Sequence, residues 1–283
     1  MWAANGGFVS RIGIAEMPRF YSGVDTGSLD FRAAAKPSLI RGLPQYCSVK
    51  FSEGAAMLDS ERKQILIDGP VGHIQLTIDH PCKTLKGVVL LSHPQPLLGG
   101  SPRHIVPLTL ARHLSAAGWL VVRPSFRGVD QTEGVHDHGI GEAQDTLAVI
   151  RYISQELPQL SVALVGFSFG AHVFARVACT LREQLRAVAL LGLPVGDVPG
   201  KRYYEPLPLP QDCLLLHGER DEMAPLANLM NWAAADHRAV SVFAGADHFF
   251  KGCLDAAAGQ VAAYLAQSRA QTFEVLDMPD GHN

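Results

Sequence analysis

Val162-Ala163-Leu164-Val165-Gly166-Phe167-Ser168-Phe169-Gly170 is the stretch on which the fold turns. Its first four residues are a continuous apolar run, which suits a short strand covered on both faces. The next five fit G-x-S-x-G, and an apolar helical pattern runs on from there to about residue 183. A strand, a tight turn and a helix in that order place the serine on a strained corner, with its hydroxyl projecting into a crevice. The flanking glycines suit a corner that draws strand and helix too close together for Cβ atoms. At the start of the helix the N–H of Phe169 would face a developing oxyanion. The competing reading of the same residues is a glycine-rich turn in which Ser168 merely caps the helix.

Working outward, strand and helix patterns alternate. Upstream, residues 64–68 and 73–79 read as two strands about the turn Gly69-Pro70-Val71-Gly72. Residues 87–92 and 119–123 read as buried strands, with helices over 105–117 and 141–157. Downstream, strands are expected at 187–191, 213–216 and 240–243, and helices at 224–235 and 254–266. Between 194 and 212 lies a linker rich in Pro, Gly and Tyr. Alternation of this kind implies right-handed βαβ units in a mostly parallel sheet of eight strands, with helices on both faces and an antiparallel start. Active sites of such sheets collect at the carboxyl ends of the strands.

Two of those ends carry chemistry. The strand at 213–216 runs into His217-Gly218-Glu219-Arg220-Asp221, and the strand at 240–243 into Gly245-Ala246-Asp247-His248. Serine, then an acid, then a histidine, each after its own strand, is the chain order of a nucleophile–acid–base set built on a strand–turn–helix corner. Ser168 is then the nucleophile, His248 the general base and Asp221 the acid that orients the imidazole. Glu219 is the rival acid. The plainer alternative has Asp221 capping the next helix and His248 on a surface loop. Asp247 is expected to point elsewhere, and His217 to satisfy local backbone groups. The second oxyanion donor should come from Ser92-His93-Pro94-Gln95-Pro96-Leu97-Leu98-Gly99-Gly100, after the third strand. The two prolines have no N–H, which leaves Gln95, Leu97 and Leu98. Gln95, held between prolines, is the favoured donor.

Taken together, residues 64–265 resemble the small bacterial α/β-hydrolases related to dienelactone hydrolase. More narrowly, they resemble the group with H-P-H-P-L-x-G-G after the third strand. The resemblance rests on residues 93–100, Phe126-Arg127-Gly128-Val129, Glu133-Gly134, Gly139-Ile140-Gly141-Glu142, residues 166–170, residues 217–221 and residues 245–250. It implies an α/β-hydrolase fold without a large cap domain, and a Ser-His-Asp triad on Ser168, His248 and Asp221. The chain departs from that group at Gln95, where the group usually has His. A backbone donor survives the change, whereas a side-chain role for the histidine does not.

Composition narrows the function classes. The 283 residues carry a formal net charge of −3, with 47% hydrophobic and 18% charged residues. No Lys/Arg stripe suggests a nucleic-acid partner. No apolar run approaches the ~20 residues of a membrane helix. Five widely spaced cysteines give no disulfide framework. The N-terminus lacks a basic segment leading into an apolar one, and the expected location is cytoplasmic. Residues 1–56 show neither period and read as a disordered or loosely attached extension, before a domain at 57–267 and a tail at 268–283. Within them Phe8, Ile12, Ile14, Phe20 and Tyr21 could alternatively form an arm over the crevice.

Arg127 could bind a substrate carboxylate, although bracing its loop against Asp145 is the favoured role. His136-Asp137-His138 lacks a third ligand at metal spacing and reads as a polar loop. No nucleotide-binding glycine motif occurs. The expected activity is therefore cofactor-free and metal-free hydrolysis of a small acyl substrate (an ester, thioester or amide) through an acyl-enzyme. The expected site is open, with Tyr203 and Tyr204 of the 194–212 linker on its wall. The alternative is a non-catalytic binding or scaffold module on the same fold. Oligomeric state is not legible in the sequence.

Overall fold

Among the described residues, alternation along buried strands builds two apolar cores, one on each side of the main sheet. The computed structural model describes residues 62–81 and 83–268. The expected extension at 1–56 and the tail beyond Ser268 lie outside the described residues. The elements in chain order begin with β1 (Arg62–Gly69), β2 (Gly72–Asp79), β3 (Val88–Leu91), α1 (Ile105–Ala116) and β4 (Leu120–Pro124). There follow α2 (Ile140–Glu156), β5 (Val162–Phe167), α3 (Phe169–Leu181), β6 (Ala187–Leu191), β7 (Gly196–Val198) and β8 (Arg202–Tyr204). The chain continues through β9 (Leu214–Gly218), α4 (Leu226–Ala235), β10 (Ser241–Phe243) and α5 (Leu254–Gln267).

The main sheet has eight strands in the order β1-β2-β4-β3-β5-β6-β9-β10. The β1–β2 hairpin and the β2–β4 pair are antiparallel, and the remaining pairs are parallel. This is the α/β-hydrolase architecture, with helices on both faces and no large cap domain among the described residues. Successive residues of each central strand feed opposite cores, which explains why those strands read as unbroken apolar runs. Leu90, Val122, Leu164 and Leu190 pack with Ile150 of α2 and with Val173 and Val177 of α3. Their neighbours Leu91, Val121, Val165 and Leu191 pack with Leu110 and Leu114 of α1 and Val261 of α5. Each such fully buried side chain contributes roughly 1.5–3 kcal/mol, so the sheet is a stiff platform for whatever its carboxyl ends carry. Among the described residues no helix is long and apolar enough to cross a membrane.

Two expectations need correction. Residues 194–212 are not a plain linker, because β7 and β8 pair within them as an antiparallel hairpin. Strands of three residues flanked by prolines are too short to show a period. Their turn instead relies on positive φ at Gly200 and Lys201. α4 begins at Leu226 rather than at 224. The N–H groups of Met223 and Ala224, in the turn that precedes it, donate to Asp221 Oδ1.

Candidate active site

Ser168 occupies the corner between β5 and α3 with φ 57° and ψ −127°. A non-glycine residue there stores strain of order 1–3 kcal/mol, which the packed strand and helix on either side hold in place. The crowding expected of the flanking glycines is present. A Cβ on Gly166 would lie 2.7 Å from the Ala171 Cα, and one on Gly170 would collide with Ser92 and the His93 carbonyl. The corner is tied to the next strand by the Ser168 N–H, which donates to the Leu191 carbonyl at 2.9 Å.

The carboxyl ends of β9 and β10 bring the other two residues to the serine. His248 Nε2 lies 2.7 Å from Ser168 Oγ, and His248 Nδ1 lies 2.7 Å from Asp221 Oδ2. An ionised carboxylate can only accept, so the proton sits on Nδ1 and Nε2 is left to accept from the serine hydroxyl. Asp221 divides its oxygens. Oδ2 faces the imidazole, and Oδ1 accepts the N–H groups of Met223 at 2.9 Å and Ala224 at 2.7 Å. The His248 ring is flanked by Phe167 and Phe249, with centroids 5.1 and 5.3 Å away.

Glu219, the rival acid, points away and accepts the Gly245 N–H at 2.6 Å. Asp247 likewise turns to the backbone N–H groups of Phe249 and Lys251. His217 Nε2–H donates to the Ala224 carbonyl at 2.7 Å, which braces the turn that carries Asp221. Burial pushes the His217 pKa below its ordinary value.

The opposite wall comes from the loops after β3 and β4. His93 is fully buried, donating from Nδ1 to the Pro94 carbonyl at 2.8 Å and accepting the Phe126 N–H on Nε2 at 2.9 Å. Burial lowers its pKa to about 4, which keeps the ring neutral and able to play both parts. The sequence reading gave His93 no role. The visible signal was a histidine–proline pair closing a buried strand. Arg127 forms a two-pronged pair with Asp145, with Nε–Oδ2 and Nη2–Oδ1 both 2.9 Å, and so braces its loop. His136, on the expected polar loop, is half-buried with Nδ1 3.0 Å from Glu142 Oε1. That carboxylate also accepts the N–H groups of Asp137 and Gly139.

Among the three oxyanion candidates, Leu98 uses its N–H on the Gln95 carbonyl. Leu97 is exposed and does not line the cavity. The N–H groups of Gln95 and Phe169 donate to no protein acceptor among the described residues. A cavity of about 70 Å³ opens beside Ser168 and His248, walled also by Gln95, His104, Arg202 and Tyr204. Of the two tyrosines expected there, only Tyr204 arrives; Tyr203 is 65% exposed. His104 caps α1, and its pKa is lowered by burial and then by the nearby His248. A larger cavity, about 700 Å³, lies at the amino ends of β6 and β9 and is lined by none of Ser168, Asp221 and His248.

The family model described as the alpha/beta hydrolase domain matches residues 98–273. An α/β serine hydrolase without a lid from Xanthomonas campestris is 27% identical, with a TM-score of 0.65 over 74% of this chain and 96% of that one. An alpha-beta serine hydrolase homologue from Coxiella burnetii is 31% identical, with a TM-score of 0.63 over 71% of this chain and 96% of its own. An uncharacterised protein of Rickettsia prowazekii is 27% identical over 199 residues, spanning 66% of this chain and 82% of that protein.

Proposed function

The chain belongs to the alpha/beta hydrolase domain family, and from that premise we propose that it is a serine hydrolase of the carboxylesterase kind. In this reading it cleaves an ester, thioester or amide through an acyl-enzyme on Ser168. The observation that carries the reading is the relay from Ser168 Oγ through His248 to Asp221, with both contacts at 2.7 Å. As Oγ attacks the acyl carbonyl, its proton passes to His248 Nε2. Asp221 holds the imidazole in the tautomer that can take the proton and then steadies the imidazolium. The carbonyl oxygen becomes an oxyanion, received by the N–H groups of Phe169 and Gln95. The imidazolium returns the proton to the leaving group. Water then repeats the sequence on the acyl-enzyme, releasing the acid and restoring the serine.

The small cavity favours a short group held beside Ser168, with the rest of the substrate lying along the surface. The similarity to a hydrolase without a lid supports that picture. A cytoplasmic setting is part of the same reading, supported by free thiols at Cys179, Cys213 and Cys253. A binding module without chemistry has no use for a serine held at φ 57°, a conformation that costs of order 1–3 kcal/mol.

Stopped-flow hydrolysis of p-nitrophenyl butyrate tests the reading. The expected result is turnover with a burst of nitrophenolate, one equivalent per active site or less, that His248→Gln abolishes. Absence of turnover by the wild type on short p-nitrophenyl and thioesters would contradict it.

A further inference from the structure

The cavity beside Ser168 and His248 has a one-sided electrostatic character. Its lining includes Arg202, His104 and His248 but no Asp or Glu. Several arginines elsewhere in the fold are matched with carboxylates, among them Arg103 with Asp130, Arg123 with Asp79 and Arg127 with Asp145, whereas Arg186 rests on carbonyl and serine hydroxyl oxygens. Arg202 is held in the second way, but at the wall of the cavity beside Ser168. Its Nε and Nη2 donate to the Pro199 carbonyl at 3.2 and 3.1 Å, and its Nη1 donates to the Tyr204 hydroxyl oxygen at 3.4 Å. Among the described residues no carboxylate pairs with it. Carbonyl and phenol oxygens orient a guanidinium without neutralising it, so the cavity wall keeps a positioned positive charge.

A second observation lies next to the first. Gln95 is 8% exposed, and its Oε1 is buried without a hydrogen-bond partner. Tyr204 lines the same cavity, and its hydroxyl oxygen accepts from Arg202. A cation and a phenol hydroxyl at the wall of a reaction site form a recognition surface for something negatively charged, and the unpaired Gln95 Oε1 beside them calls for a donor on the same ligand. A purely aliphatic acyl group would leave them unmatched.

We propose that Arg202 and Tyr204, on the β7–β8 hairpin, form an anion subsite that selects a substrate bearing a carboxylate near the bond to be cleaved. The inference rests on the hydrolase reading above and names the substrate class of that same site. The planar fork of Arg202 suits a carboxylate, and a charge-assisted contact of this kind favours the anionic substrate by about 10- to 100-fold.

The test measures kcat/KM for two substrate pairs in wild type, Arg202→Gln and Arg202→Lys. The first pair, with the charge on the acyl side, is the 4-nitrophenyl monoester of adipic acid against the 4-nitrophenyl ester of adipamic acid. The second, with the charge on the leaving group, is 3-carboxy-4-nitrophenyl acetate against 4-nitrophenyl acetate. Intrinsic reactivity cancels, because each ratio is compared across variants. The expected result is that Arg202→Gln lowers the anionic-to-neutral ratio at least tenfold in one pair, which identifies the side that carries the charge, and that Arg202→Lys restores part of it. If Arg202→Gln lowers both members of each pair equally, Arg202 only supports the hairpin and the subsite is overturned. If the wild type turns over none of the four esters, the hydrolase reading fails first and the subsite falls with it.

Discussion

The two sides of the crevice are built by different physics. On the β9–β10 side the groups stand in the line along which the proposed reaction moves a proton from Ser168 to His248. Asp221 and His248 stand in line behind Ser168, and each has a partner that fixes its orientation. On the β3–β4 side the polar groups are placed so that their protonation does not change. His93 is kept neutral by burial while it joins two loops, and Arg127 is locked to Asp145. One side is read as chemistry and the other as rigidity. In the proposed reaction the Gln95 N–H would need the second as much as Ser168 would need the first, because a donor that must reorganise during reaction loses much of its effect.

The contrast predicts different losses on the two sides. The largest is for Ser168→Ala, expected to reduce kcat/KM on p-nitrophenyl butyrate by about 10⁴–10⁶-fold. The melting temperature should hold, since Ala fits the corner about as well as Ser. Activity near the wild-type level in the folded variant would remove the serine from the chemistry. Next is Asp221→Asn, which keeps the shape but favours the wrong imidazole tautomer. Turnover should fall by roughly 10³–10⁴-fold, while Glu219→Gln stays within about threefold, because Glu219 only holds the Gly245 N–H. The reverse order would move the acid role to Glu219.

On the other side the cost should appear first as stability. Arg127→Met strands the buried Asp145 carboxylate, a loss of about 3–5 kcal/mol. That corresponds to a fall in melting temperature of about 10 °C for a domain this size. Arg127→Met with Asp145→Leu should recover much of it. Scanning calorimetry distinguishes this from a substrate-binding role, in which kcat/KM would fall at an unchanged melting temperature.

The smallest effect is a pH dependence. The His93 pKa is depressed in the folded state to about 4 from an ordinary 6.5. Between those values the unfolded chain binds the proton and the folded one does not. The neutral ring's contribution is therefore fully present above pH 6.5 and is lost as pH falls toward 4. His93→Gln should be less stable at pH 7 and lose less of its remaining stability between pH 6.5 and 4. A wild type and variant with parallel pH profiles would mean that His93 is not held neutral.

The same division governs what was legible in the sequence. The sheet was readable because Val88–Leu91 and Val162–Phe167 alternate between two cores and so leave unbroken apolar runs. The three residues the structure brings together were readable because each follows the carboxyl end of a strand, and those ends converge. The bracing side was only partly legible. Arg127 and Asp145 could be paired by their elements, but nothing local to His93 shows that its two ring nitrogens join separate loops. The β7–β8 hairpin was missed altogether. Three-residue strands carry no period; Tyr204 was expected at the site, but Arg202 reaches the cavity only through the tertiary fold.

The central claim is that Ser168 is made nucleophilic by the His248–Asp221 pair, and covalent capture tests it most directly. The purified protein is treated with a fluorophosphonate, its intact mass is measured, and the modified peptide is sequenced. The account predicts one adduct per chain, on Ser168, forming at least 100-fold more slowly in Asp221→Asn. No adduct, an adduct on a different serine, or a labelling rate indifferent to Asp221 would contradict it.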